Sequence, residues 1–427
     1  MAQEILKFGQ WKIRLYDQIM DQRTVVEQIA DELDAEMSDE GALLCSVDNV
    51  IHRLKLWQAK MPRITPFFAV KCHPDPMVIR ALASLGCGFD CASLREIQTI
   101  LDLQVEPARI IYANPSKHRT FIQYAKTKRV HKMTFDSAEE LRKIKEEFEE
   151  AKLVLRILVS DPTASSVFGR KFGAEPETVA RELLEEAKEI GMKVVGISFH
   201  VGVGCKDAPI YETAIRYARQ LFDYGTRLGH RMRILDIGGG YPGREVDNPQ
   251  FEKIAAVINA AIDTHFGDVE GVEMISEPGQ FFCEGSFTLC TKIINAVEVP
   301  ADRITKNELD SNQKGMMYFL NDGIYGSFML AATEKIYVEG LPLRPKPGAE
   351  RLTSIVWGPT CASVDVVEEA IEKERMAEGD WVLYPDMGAY TNGLCTTFNG
   401  FPRPTLHYAI SRKNWKFLEE HGIQELV

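Results

Sequence analysis

FFAVK, residues 67–71, is a short apolar run that ends on a lysine, and seven more runs of the same kind follow it. GFDC (88–91) carries Asp90, IIYAN (110–114) ends on Asn114, KMTFD (132–136) ends on Asp136, and LVLRI (153–157) contains Arg156. GISFH (196–200) ends on His200, ILDIGGG (234–240) runs into Gly238, Gly239 and Gly240, and EMISEPG (273–279) carries Glu277. The intervals are long enough for helices, and PETVARELLEEAKEIGM and PIYETAIRYARQLFDYGTRLG show a 3.6-residue apolar period. Strand–helix alternation implies a parallel sheet, and eight repeats are the number that closes a (β/α)8 barrel. In such a barrel the strand C-termini share one rim, so a lysine, a histidine, acids, an arginine and a glycine turn converge there.

The texture changes after Gly279. FFCEGSFTLCTKIINAVEV, GMMYFLNDG, SIVWGPTC and GDWVLYPDMGAY read as strands separated by Gly, Pro and Asn turns. LLCSV, near residue 45, is another strand candidate, preceded by an acidic helical run, VVEQIADELDAEM. The expected organisation is a barrel over 45–280 and a mainly β domain, a sandwich or barrel, from 281–427 with 1–44. A chain of 427 residues fits two domains and buries a full core without disulfides.

A formal charge of −12 argues against nucleic acid or an anionic membrane as partner, since phosphate binding needs a positive surface. The N-terminus does not read as a signal peptide, and no apolar run is long enough to span a bilayer. Nine scattered cysteines read as free thiols in a reducing cytoplasm, and no metal site is expected from their spacing.

Each candidate carries an ordinary reading beside the chemical one. Lys71 is a Schiff-base lysine or a rim lysine reaching solvent. The GGG turn offers backbone N–H groups to an anion, or is a tight corner. Glu277 beside it holds a protonated ring nitrogen or a salt bridge. His200 stacks on a ring, moves protons, or is a hydrogen-bonded structural residue. Arg156, in an apolar strand, requires a carboxylate or polar partner. Cys361 in WGPTC and Tyr390 in MGAYT are site residues, or a buried thiol and a packed aromatic.

Taken together, FFAVKCHPD, GFDCAS, IIYANPSK, MTFDSAEEL, KFGA, SFHVGVGC, LDIGGGYPG, SEPG, NDGIYGSF, WGPTC, MGAYT and FNGF resemble the eukaryotic ornithine decarboxylases, in order and over nearly the whole chain. The resemblance implies pyridoxal 5'-phosphate as cofactor, an alanine-racemase-like barrel with a C-terminal β domain, and a head-to-tail homodimer with shared active sites. By motif, Lys71 would hold the cofactor covalently, His200 would stack on its ring, and Glu277 would face the ring nitrogen, with Asp90 and Arg156 behind. Gly238, Gly239, Gly240 and Tyr390 would hold the phosphate. Cys361 would protonate the product from the partner subunit, and Lys171 and Asp365 would bridge the dimer interface.

Departures from the family pattern carry expectations of their own. Val203 and Gln280 stand where the family has Ser and Arg, removing two phosphate contacts worth about 1–3 kcal/mol each. Ala362 stands where the family places the Asp that grips the substrate's distal ammonium, and the second acid aligns with Glu334; Phe398 in FNGF joins them as a substrate contact. Burying an ammonium without its carboxylate is costly, so an apolar substrate, leucine first, is expected, similar to leucine decarboxylase. Two alternatives are ornithine or another basic amino acid gripped by Glu334, and a catalytically weak regulator like the antizyme inhibitors. The basic stretch SKHRTF to AKTKRVHK lies where the family meets antizyme, and also reads as a solvated helix face. The C-terminus, ending FLEEHGIQELV, is read as lacking the Pro/Glu/Ser/Thr-rich tail of mammalian ornithine decarboxylases.

Overall fold

The computed structural model describes residues 4–159, 169–205, 208–334 and 336–423. Two compact units emerge, one spanning 51–282 with 418–423 and the other built from 4–50 with 283–417.

The first unit is a closed barrel of eight parallel strands. In chain order they are Thr65–Ala69, Gly88–Cys91, Ile110–Tyr112, Lys132–Phe135, Lys152–Ile157, Lys193–Phe199, Ile234–Asp236 and Glu273–Ser276, called here strands one to eight. Each pairs with its chain neighbours, and strand eight closes on strand one through Ile275 opposite Thr65 and Ser276 opposite Pro66. All eight apolar runs of the sequence are therefore barrel strands. Phe67, Ile111, Val154, Ile234 and Ile275 fill the interior, all at most 4% exposed, so the barrel is a packed core and not a pore.

The helices begin where short polar residues cap them. Asp75 accepts from the backbone N–H of Met77 and Val78, both at 2.9 Å, with Pro76 opening the helix Pro76–Ser84. Ser93 and Ser137 cap the helices Leu94–Asp102 and Ala138–Glu147, each followed three residues later by a glutamate, the capping-box spacing. Such caps stop each strand abruptly and turn the chain outward. Lys71 lies in one of these corners, the single 3-10 turn Val70–Cys72 between strand one and the helix capped by Asp75.

The second unit carries a ten-stranded mixed sheet. Its main path runs Glu4–Phe8, Trp11–Tyr16, Thr405–Ser411, Ala42–Ser46, Phe287–Pro300, Lys314–Leu320, Arg351–Trp357, Val366–Glu374. Trp381–Tyr384 pairs with Phe287–Pro300 and with the short strand Leu341–Pro342. The strand read near residue 45 is Ala42–Ser46 and pairs with Phe287–Pro300, so it belongs to this sheet and not to the barrel. One expected strand segment is instead helical: Gln280–Cys283 forms a turn of helix before the sheet begins at Phe287. Gly279 makes that turn possible, since a Cβ there would stand 2.7 Å from the Cβ of Cys72. No described helix is long and apolar enough to cross a membrane.

Candidate active site

The barrel rim assembles the charged residues in two groups. On strands one and two, Lys71 Nζ donates to Asp90 Oδ2, with the carboxylate fully buried and the lysine side chain 42% exposed. The other carboxylate oxygen, Asp90 Oδ1, is buried without a hydrogen-bond partner. The acid thus receives a hydrogen bond from the amine itself, on a side chain that stays partly exposed to approach.

On strands seven and eight, Asp236 and Glu277 form a second acid group. Asp236 is 0% exposed, and its Oδ1 accepts from Gly238 N–H at 3.0 Å. Asp236 Oδ2 and Glu277 Oε1 are both shielded from solvent without a partner. Burial drives the Asp236 carboxyl up to about 7. Glu277 is held well above the ordinary range by burial first, then by the charges of Asp236 and Asp90. Two half-satisfied acids side by side call for a cation or a proton donor between them. Asp236 is a residue that the motif reading passed over; the signal was an acid ending an apolar strand directly before the glycine turn.

The glycines are required by the packing of three loops. Gly238 (φ +67°) and Gly240 (φ +91°) lie in the left-handed region. A Cβ on Gly238 would fall 2.2 Å from Phe199 O, on Gly239 2.4 Å from Glu277 O, and on Gly240 2.0 Å from Gly202 O. The turn is therefore wedged between the ends of strands six and eight. Gly238 O accepts from Glu277 N–H and from Ser276 Oγ, each at 2.6 Å, which fixes the start of the Glu277 loop. His200 closes the other side. Its Nδ1 accepts from Gly202 N–H at 3.1 Å, which leaves Nε2 to carry the proton of the neutral ring. Burial, then Arg156 and Lys71, hold its pKa well below the usual imidazole value, so the ring stays neutral. Arg156, half-buried on strand five, stacks its guanidinium on Phe172 at 5.0 Å, and Lys171 reaches the same ring at 4.9 Å. Val203 follows strand six and Gln280 opens the short helix after strand eight; both are half-buried.

The remaining expected residues lie in the sheet unit. Tyr390 is half-buried with φ +55°, a conformation that costs a non-glycine residue energy and clusters at functional sites. Cys361 is the exposed one of nine free cysteines, with its N–H donating to Asn399 Oδ1 at 3.1 Å. Ala362 is half-buried beside it. Phe398 is 45% exposed with its ring 4.6 Å from that of Tyr325. Glu334 ends the helix Met329–Glu334 and is exposed. Asp365 is expected, with Lys171, to bridge the dimer interface. It is 1% exposed and accepts from Ile324 N–H (2.9 Å), Thr360 N–H (3.0 Å) and Thr360 Oγ1 (2.5 Å), so within one chain it pins two turns together. The basic stretch of the third barrel crossover is partly neutralised, because Arg119 pairs with Glu146 and Glu147 at 2.6 and 2.7 Å.

The profile of the family described as "Pyridoxal-dependent decarboxylase, pyridoxal binding domain" matches residues 47–284. The chain belongs to this family. It is 46% identical to the ornithine decarboxylase of Caenorhabditis elegans, over 96% of this chain and 97% of that one. It is 41% identical to the Rattus norvegicus ornithine decarboxylase (94% and 88% covered), and 39% identical to antizyme inhibitor 2 of Xenopus laevis (94% and 89%). Among solved structures, the arginine decarboxylase of Paramecium bursaria Chlorella virus bound to agmatine superposes with a TM-score of 0.83 at 35% identity, covering 91% of this chain and 100% of that one. The lysine/ornithine decarboxylase of Vibrio vulnificus with cadaverine gives 0.79 at 27% identity, covering 93% and 99%.

As a member of this family the chain is a carboxy-lyase that depends on pyridoxal phosphate. The rim residues fit that cofactor. The unpartnered oxygens of Glu277 and Asp236 suit a protonated ring nitrogen, and the side-chain-free turn at 238–240, whose Gly238 N–H is taken by Asp236, offers the N–H groups of Gly239 and Gly240 to a phosphate.

Proposed function

We propose that this protein decarboxylates a basic L-amino acid, ornithine first, to its amine, and that it works as a cytoplasmic homodimer with shared active sites. The observation that carries the reading is the rim itself, where an accessible lysine anchored on a buried aspartate shares the barrel mouth with two under-satisfied acids, buried Asp236 and half-buried Glu277. Pyridoxal phosphate, when bound, supplies an electron sink for the bond to the departing carboxylate.

The chain's own residues divide the remaining work. Lys71 Nζ holds the cofactor, and Asp90 receives its hydrogen bond and keeps the amine oriented. Glu277, with Asp236 beside it, would supply the negative charge that keeps the ring nitrogen protonated once the cofactor is bound. His200 offers a flat, neutral ring, so that no extra positive charge competes for the substrate's carboxylate. Arg156 offsets the excess of acids. Gly238, Gly239, Gly240 and Tyr390 bind phosphate, while Val203 and Gln280 weaken that grip relative to a hydroxyl and a guanidinium. Cys361 delivers a proton from the partner subunit, with Lys171 and Asp365 serving the interface. All nine thiols are free, which supports a reducing compartment.

For the substrate, the named activities of the relatives, on ornithine, arginine and lysine, all involve a basic side chain. Glu334 is the carboxylate proposed to receive it, with Phe398 and Ala362 lining the approach. The leucine-first expectation rests on Ala362 alone and gains no support from these relatives. A second reading, a regulator that binds antizyme, is favoured by the likeness to antizyme inhibitor 2 and opposed by the intact set Lys71, Asp90, Glu277 and Cys361. One experiment separates the three. Purified protein with pyridoxal phosphate is incubated with ornithine, lysine, arginine and leucine, and the amine products are quantified. Product from a basic amino acid supports the proposal, with Glu334→Gln expected to raise KM. Product from leucine alone restores the apolar reading, and no product together with antizyme capture selects the regulator.

A further inference from the structure

The opposite end of the barrel, where the strands begin, holds a cavity of about 740 Å³ within the same unit. Its rim is strongly basic in a chain whose net charge is −12. Lys132, Lys152 and Lys193 are the first residues of strands four, five and six, and they sit in register: Lys132 opposite Lys152, and Lys152 opposite Lys193. Adjacent strands lie about 4.8 Å apart, so three ammonium groups start from neighbouring positions, an arrangement that opposes folding. Arg231 and Arg233, just before strand seven, and Lys188 complete the ring.

The counter-charges do not cancel this. Glu273 is the one carboxylate lining the cavity, and it is taken by Lys132 at 2.7 Å. Among the described residues no ion pair forms at Lys152, Lys188, Lys193, Arg231 or Arg233. Lys152, Lys188, Lys193, Arg231 and Arg233 are all exposed, whereas Met192, Val194 and Ile234 form a buried apolar floor. Five exposed cations without an ion pair, with the Glu149 carboxylate acting on Lys193 from outside the cavity, over an apolar floor suit a ligand with several negative charges at one end and a hydrophobic or aromatic body at the other. The volume lies within the range of small-molecule sites, about 300–1,000 Å³.

We propose that this cavity binds a nucleoside triphosphate, with the phosphates on the lysine and arginine ring and the base on the apolar floor. The bound anion would relieve the repulsion among the three in-register lysines and so stabilise the barrel from the end remote from the rim residues. The inference does not depend on the substrate of the decarboxylase.

The test uses full-length protein loaded with pyridoxal phosphate and freed of excess cofactor. Binding of ATP and of inorganic triphosphate is measured by calorimetry at about 0.15 M salt, where surface attraction alone is largely screened. ATP should bind saturably and about tenfold more tightly than triphosphate, and Lys193→Glu or Arg233→Glu should each weaken it by about tenfold or more. Both residues are exposed and lie where strands six and seven begin, at the barrel end opposite the rim residues, so bound-cofactor absorbance should stay unchanged and report that the variants are folded. Absence of saturable ATP binding, or binding indifferent to both charge reversals, overturns the site. Equal affinity for ATP and triphosphate overturns the nucleoside assignment.

Discussion

Replacing Glu277 by Gln tests the electrostatic logic of the rim most sharply, because stability and activity should move in opposite directions. In the cofactor-free protein Glu277 is a half-buried acid with a shielded, unpartnered oxygen beside buried Asp236. Leaving such a charged group unsatisfied costs about 1–3 kcal/mol, and an uncompensated, fully buried charge about 3–5. Partial burial places Glu277 toward the lower figure, so the neutral amide should stabilise cofactor-free protein by about 2 kcal/mol at pH 8. The gain should depend on pH. Both acids have folded-state pKa values above their ordinary ones, Asp236 at about 7. The stabilising, protonated form of Asp236 is therefore fully present near pH 4 and lost as pH rises through about 7, and that of Glu277 is lost only well above the ordinary carboxyl range. Wild type should weaken across that window, the variant should weaken less, and the two should converge in acid. In the loaded enzyme the same change removes the charge that keeps the ring nitrogen protonated. A fall in kcat of about 10²–10³-fold with little change in KM follows, the scale of losing one preorganised electrostatic contact. Thermal midpoints of cofactor-free protein at pH 5 and pH 8, with steady-state kinetics of the loaded form, provide the readouts. A variant that is less stable at pH 8, or whose kcat stays within about threefold of wild type, refutes the argument.

Gly240→Ala must adopt φ near +91° and place a Cβ 2.0 Å from Gly202 O, so it should cost about 2–5 kcal/mol, visible as a lower thermal midpoint and faster cofactor loss on dialysis. Glu140→Ala removes the carboxylate paired with the buried Lys117 ammonium at 3.0 Å, leaving it the carbonyls of Asn114 and Thr134; about 3 kcal/mol should be lost in urea unfolding. That loss should shrink as pH rises above about 8, where Lys117, its pKa lowered chiefly by burial, sheds its proton in the fold. Cys361→Ser should leave the melting temperature unchanged, since the thiol is exposed, while lowering kcat by about 10²-fold or more if the proton comes from this group.

Much of the barrel was legible because its strands are buried on both faces and stop abruptly. Runs such as FFAVK and GISFH combine unbroken apolar character with a polar last residue, and the Ser93 and Ser137 caps mark the helices that follow. The sheet unit was harder to read. Glu4–Phe8 and Val366–Glu374 carry solvated side chains along much of their length, so their composition does not separate them from loops. FFC after Gly279 looked like the start of a strand because an apolar triplet has no period of its own; packing against strand one made it helical.

The candidate site divides in the same way. Lys71, Asp90, Arg156, His200, the glycine turn and Glu277 could be picked out one by one, since each ends or interrupts an apolar run and is locally conspicuous. What no linear pattern contains is which of them meet. The Asp236–Glu277 pair exists because strands seven and eight are neighbours in a closed ring, and Asp365 turned inward because Thr360 and Ile324 lie across a fold of the chain. The row Lys132, Lys152, Lys193 depends on parallel register, a property of hydrogen bonding between strands. Strand identity and chemical endowment follow from local composition, because burial and capping act over a few residues. Charge pairing, shielding and the resulting shifts in acidity follow from distances across the barrel, which are set only when all eight strands close.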